Sequence, residues 1–133
     1  MSGNTSAKIS ALQGTTLSTI VSRHGTEVGE VCAAASASAV EDVAALAEEE
    51  KVDCGLDRRP AVTYAANPEE LTAVADERDA RVGRRTPVQS REDDAGQPYP
   101  VSGAIWPRDQ IGLQPVDYVR GLARAFERAG GQM

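Results

Sequence analysis

The sequence has 133 residues, 26% of them charged, and a formal net charge of −6. That length suits one ordinary domain, and the acidic balance excludes a nucleic-acid surface built from clustered Lys and Arg. No apolar run reaches the length of a membrane span, and the N-terminus lacks the apolar region of a signal peptide. One Trp, one Phe and three Tyr leave few large side chains, so the core implied by 41% hydrophobic residues is thin and rich in alanine. Cys32 and Cys54 are too few for a disulfide framework, which fits a reducing, cytoplasmic compartment.

In chain order, residues 1–14 (MSGNTSAKISALQG) sustain neither helical nor strand periodicity and read as a loop. Its glycines and hydroxyls fit either a free tail or backbone approaching a phosphate-bearing ligand. Thr16 to Arg23 is a short helix ended by Gly25. Thr26 is then expected to cap a longer helix whose apolar stripe is Val28, Val31, Cys32, Ala35, Ala39, Val43 and Leu46. Pro60 to Ala66 reads as a strand. Asn67, Pro68, Glu69 and Glu70 form a helix start, followed by Leu71, Val74, Ala75 and Val82 on one face and a stop at Gly83. Thr86 to Gln89 is a short strand, and Glu92 to Pro98 is a surface loop.

Val101 to Trp106 is the clearest strand, ended by Pro107. Pro115 opens a helix that carries Val116, Val119, Leu122, Ala123 and Phe126 at three- and four-residue steps, and Gly130-Gly131 closes it. The alternation predicts an α+β fold, with helices packed on a small, incomplete sheet.

Few residues announce chemistry. His24, the one histidine, sits at a helix C-terminus, where a cation complements the dipole, and no partner base or nucleophile accompanies it. Cys32 falls on an apolar stripe, Cys54 in a turn where it is expected to be more exposed, and with His24 they make no metal-ligand spacing. Asp109 follows a strand end beside Arg108 and Gln110, and reads as a turn residue before a catalytic one. No Walker loop, nucleophile elbow, C-x-x-C or post-strand G-x-G-x-x-G is present.

Three segments, in order, resemble FAD-dependent oxidoreductases of the glycine oxidase and D-amino-acid dehydrogenase type. GNTSAKISALQG (Gly3–Gly14) is similar to the Gly-x-Thr-Thr/Ser-x-Lys stretch that follows the family's first ADP-binding unit. EEEKVDCGLDRRPAVTYAANPEEL (Glu48–Leu71) resembles the helix, strand and capped helix that begin the substrate-binding portion. PVSGAIWPRDQIGLQPVDYVRGLARAFERAGGQ (Pro100–Gln132) resembles the strand, the Asp-Gln-x-x-x-x-Pro connection and the helix that returns the chain to the FAD-binding sheet.

The resemblance implies that Gly3, Thr5, Ser6 and Lys8 lie against FAD in the intact enzyme, whose substrate is a small amine or amino acid. It divides the chain into a cofactor-proximal loop, 1–14, and a substrate-lobe portion, 15–133. Because the dinucleotide fingerprint and the strand expected after Gly130-Gly131 are not found, the resemblance casts the chain as an interior piece. Residues 1–14 are then expected to be loosely held, and an apolar face to be left uncovered and open to self-association. The rival reading is a small autonomous α+β domain that binds a partner without catalysis; a third is a marginally stable remnant without function.

Overall fold

The computed structural model describes residues 7–82, 88–91 and 98–132. In order these form β1 (Lys8–Ile9), α1 (Thr16–His24), α2 (Thr26–Glu49), β2 (Asp57–Arg59), β3 (Thr63–Ala65) and a 3₁₀ turn (Pro68–Glu70). The chain continues with α3 (Leu71–Arg81), β4 (Val88–Arg91), β5 (Gly103–Pro107), β6 (Gln110–Gly112) and α4 (Pro115–Arg128). The stop at Gly83 and most of the loop expected over Glu92–Pro98 lie outside the described residues. The fold is α+β, as the alternation predicts, but with two three-stranded antiparallel sheets, ordered β1-β6-β2 and β3-β5-β4.

Two short connections join the sheets, Arg108-Asp109 between β5 and β6 and residues 60–62 between β2 and β3. Asp109 has φ +58, a left-handed turn conformation that Asp tolerates better than most residues, so the turn reading of this position holds. β1, β2 and β6 are only two or three residues long, too short for alternation to show in sequence. β6 was hidden in what reads as a polar connection.

Gly25 (φ +87) ends α1 and begins α2 in one residue. Thr26 is therefore the first helical residue and not the cap. The buried stripe of α2 is Gly29, Ala33, Val40 and Ala47, roughly a quarter turn from the predicted one. Val28 and Val31 are exposed. Close approach selects the small residues: a Cβ on Gly29 would stand 2.4 Å from Val21 Cγ2 of α1. The start of α3 follows the expected chemistry. The Asn67 side chain accepts from the Glu69 and Glu70 amides, and the Glu70 carboxylate reaches back to the Ala66 amide at 2.8 Å.

α4 begins at Pro115 and ends in paired bonds, Gly130 N–H to Glu127 O and Gly131 N–H to Phe126 O, the pattern of a glycine-terminated helix. Its packed side is again not the predicted one. Tyr118 packs against the first core cluster, Gly121 lies under Val52, and Ala125 is buried. Val119 and Phe126, about a third of a turn away, are 51% and 52% exposed.

Three apolar clusters make the core. The first is centred on Ile111, Val40, Ala47 and Leu113 with Ala11; the second on Ile105, Ala65 and Val74 with Leu12; the third on Ala33 and Ala80 with Leu17. Residues 11–17 therefore contribute to all three. For residues 7–14, the described part of the segment 1–14, this corrects the expectation that it is loosely held: Lys8 and Ile9 pair with Gly112 and Ile111, and Ala11 and Leu12 are buried. Cys54, expected to be more exposed, is also buried in the first cluster, because the turn carrying it is drawn under α4 by the bond from Gln114 N–H to Cys54 O at 2.7 Å.

Two predictions follow from this packing. Ile111→Ala, at a side chain 1% exposed, is expected to cost about 2–4 kcal/mol in urea unfolding, whereas Val119→Ser on the open face of α4 stays within about 0.5 kcal/mol. The second concerns Arg58, which donates both Nη atoms to the Glu41 carboxylate at 2.7 Å and joins β2 to α2. That hydrogen bond holds the Glu41 carboxyl below its usual range. A depressed carboxylate stabilises the fold above its unfolded pKa and loses that contribution as pH falls through the folded pKa. The pair is exposed and contributes less than about 1 kcal/mol. The difference in melting temperature between wild type and Glu41→Gln is therefore expected at neutral pH, and to vanish in acid below the carboxylate range.

Candidate functional site

The register of the first sheet sorts its side chains. Lys8, Gly112 and Asp57 stand opposite one another on one face; Ile9, Ile111 and Arg58 stand on the other. Ile9 and Ile111 belong to the first core cluster, so the Lys8 face looks outward. A cleft of about 370 Å³ opens there, lined by Lys8, Gly112, Gln110, Asp57, Arg59 and the backbone of Ala7 among others. Gly112 forms its floor. A Cβ at that position would find only Ala7 O within 4 Å, at 3.9 Å, so the space above the strand is open.

Charge in the cleft is uneven. Arg59 Nε is satisfied by the Asp57 carboxylate, while Lys8 is exposed and, among the described residues, has no ion-pair partner. Ala7, at the mouth, holds φ +58, a conformation that costs a non-glycine residue on the order of 1 kcal/mol. It is fixed there by the bond from Leu113 N–H to Ala7 O at 3.1 Å.

Of the residues the resemblance assigns to the cofactor, Lys8 is on the rim of this cleft; Gly3, Thr5 and Ser6 lie outside the described residues. A lone lysine above a glycine floor suits an anionic, flat or phosphate-bearing group. The volume takes one portion of a dinucleotide, not the whole. The described residues thus fit a flavin cofactor in part, as one wall of a site.

Behind the cleft runs a buried polar chain that the sequence reading missed. Ala11 N–H donates to Gln110 Oε1 at 2.7 Å, and Ala11 O accepts from Arg81 Nη2 at 3.1 Å. Arg81 Nε donates to Glu77 Oε1 at 2.8 Å, and Glu77 Oε2 accepts from the Ser18 amide at 2.8 Å. Glu77 is 0% and Arg81 4% exposed. The Glu77 carboxylate serves as the cap that α1 lacks locally, since Thr15 makes no side-chain cap bond. A signal was available: positions 77 and 81 fall three and seven residues after Val74, on the buried face of α3.

On the outer face of the second sheet, Tyr99 donates to the Tyr64 hydroxyl at 2.9 Å, which raises the Tyr99 phenol above its ordinary pKa. Gln89 Oε1 accepts from Trp106 Nε1 and Arg108 Nη2. His24 is exposed at the end of α1. Among the described residues no group of three or more His, Cys, Asp or Glu could hold a metal ion, and no helix is long and apolar enough to cross a membrane.

An α+β chain with an outward cleft lined by Lys8, Arg59 and Asp57 is what the described residues define. The family model described as FAD dependent oxidoreductase (DAO) matches residues 2–133, and the chain belongs to that family. Neither the curated proteins nor the solved structures give a match.

Breaking the buried pair tests its weight. Glu77→Gln leaves Arg81 buried without its counter-charge, and urea unfolding is expected to show a loss of about 3–5 kcal/mol; a loss under about 1 kcal/mol would show the network to be dispensable.

Proposed function

We propose that this chain forms part of the flavin site and of the substrate lobe of an oxidoreductase acting on amines or amino acids, of the glycine oxidase and D-amino-acid dehydrogenase type. Family membership and the three resembling segments support the reaction class. The observation that carries the site is the cleft beneath Lys8, at the end of the segment Gly3–Lys8 that the resemblance sets against the cofactor. FAD supplies the hydride-accepting chemistry when bound.

The residues of this chain have simpler tasks. Lys8 offers a fixed positive charge to a phosphate or to the edge of the ring system. Gly3, Thr5 and Ser6 offer N–H and O–H donors without bulk, and Gly112 leaves room for a flat group against the strand. These 133 residues carry no G-x-G-x-x-G fingerprint, whose backbone amides and helix N-terminus grip a pyrophosphate. FAD binding by the chain alone is accordingly weak, and the isolated chain is inactive. Two free cysteines, one of them buried, suit the reducing conditions of the cytoplasm.

Photolabelling of the purified chain with 8-azido-FAD, followed by peptide mapping, tests this reading. Label is expected within residues 1–12, with a dissociation constant for FAD no tighter than roughly 100 µM. Label confined to other peptides would remove the site assignment. Micromolar affinity with a raised melting temperature would show that the chain holds a whole site and not a part. A sharp, cooperative melt without any labelling would favour the autonomous binding domain.

A further inference from the structure

We infer that Gln110 and Arg81 are positioning residues that set the place of Lys8 by holding the N–H and the C=O of Ala11, in two consecutive peptide groups; the cofactor side of this inference rests on the function proposed above. β1 has two residues, so its ladder alone fixes little. Backbone at both ends of the segment is in the left-handed region, Ala7 at φ +58 and Gly14 at φ +62. Between them, the amide of Ala11 is taken by Gln110 and its carbonyl by Arg81, side chains 99 and 70 residues away in sequence.

Each clamp is itself held. Gln110 Nε2 donates to Arg108 O at 2.8 Å, which fixes the amide with its oxygen toward Ala11. The Glu77 carboxylate orients Arg81. All of these side chains are nearly or fully buried: among the described residues, Gln110, Arg81 and Glu77 are the buried polar ones.

Stability by itself does not account for such a group, because a buried ion pair seldom outdoes apolar residues of similar volume. What apolar residues cannot do is define where the backbone N–H and C=O of one residue sit. With Ala11 pinned, Ile9 and Lys8 pair with β6 in a single register, Lys8 against Gly112. The lysine then stands over the cleft floor.

The test compares Gln110→Leu with Gln110→Glu in the full chain. Both remove the bond to Arg108 O, and only Glu keeps an acceptor for the Ala11 amide. Amide hydrogen exchange is read at Ala11 and at Leu113, whose N–H donates to Ala7 O, and against Val40 and Ile105 in other elements. Expected for Gln110→Leu is exchange about tenfold faster at Ala11 and Leu113, with less than about threefold change at Val40 and Ile105; Gln110→Glu restores slow exchange at Ala11. A uniform rise at all four amides would mark Gln110 as merely stabilising and overturn the inference, as would unchanged exchange at Ala11. Arg81→Lys, which offers one point charge in place of a fork, is expected to reproduce the selective rise.

The cofactor arm uses 8-azido-FAD. Labelling within residues 1–12 is expected to fall several-fold in Gln110→Leu and to recover in Gln110→Glu. Selective exchange with unchanged labelling would overturn the positioning role. Wild-type labelling at other peptides would overturn the functional reading instead, leaving the clamp to be decided by exchange.

Discussion

The N–H and C=O of Ala11, in consecutive peptide groups, are each bonded by a side chain from another element, Gln110 from β6 and Arg81 from α3. Much else depends on that arrangement. Ala11 and Leu12 enter different apolar clusters, and Leu17 enters a third. The segment is a further tie between two small sheets that are joined in the chain by Arg108-Asp109 and by residues 60–62. An alanine-rich core offers limited apolar area per residue, and a buried backbone amide or carbonyl left without a partner costs about 1–3 kcal/mol. In so thin a core, satisfying the N–H and C=O of Ala11 weighs heavily in the stability of the fold.

The helices and β5 were legible in sequence because punctuation there is strong. Gly25, Asn67-Pro68, Pro115 and Gly130 each impose a backbone geometry that few residues accept. What the sequence misjudged is which side of each helix faces inward. In α2 and α4, Val28, Val31, Val119 and Phe126 weigh heavily on any hydrophobic scale, yet they are exposed, and Gly29, Ala33, Gly121 and Ala125 lie on the packed sides together with Val40. Packing at short interaxial distance selects for the absence of side chain, and a search for large apolar residues points away from it. Strands of two or three residues carry too few positions for alternation to register, so β1, β2 and β6 stayed hidden, and the first sheet with them.

The site was legible in part. Lys8 was singled out by resemblance, and it stands at the cleft. The rest of the cleft comes from β2 and β6, strands that single-residue reading did not find, and its floor is a glycine whose role is visible only once its neighbours are placed. Asp109 drew notice for following a strand, but its place is in the turn; the adjacent Gln110 is the residue with a long-range partner. The Glu77–Arg81 pair looks in sequence like any i, i+4 pair on a charged helix. Only the phase of Val74 and Ala80 separates it from a solvated one.

The pairing of Lys8 with Gly112 spans nearly the whole chain, and this bears on how the protein is made. α1 and α2 are adjacent in sequence and can associate as soon as both have been synthesised. β1 has no partner until β6 follows, more than a hundred residues later. Closure over such a separation is slow, and during translation the segment around Ile9 and Leu12 remains an uncovered apolar stretch. The nascent chain therefore passes most of its synthesis with its central tie undone, a period in which chaperones and proteases compete for the same residues that later lie at the junction of its three cores.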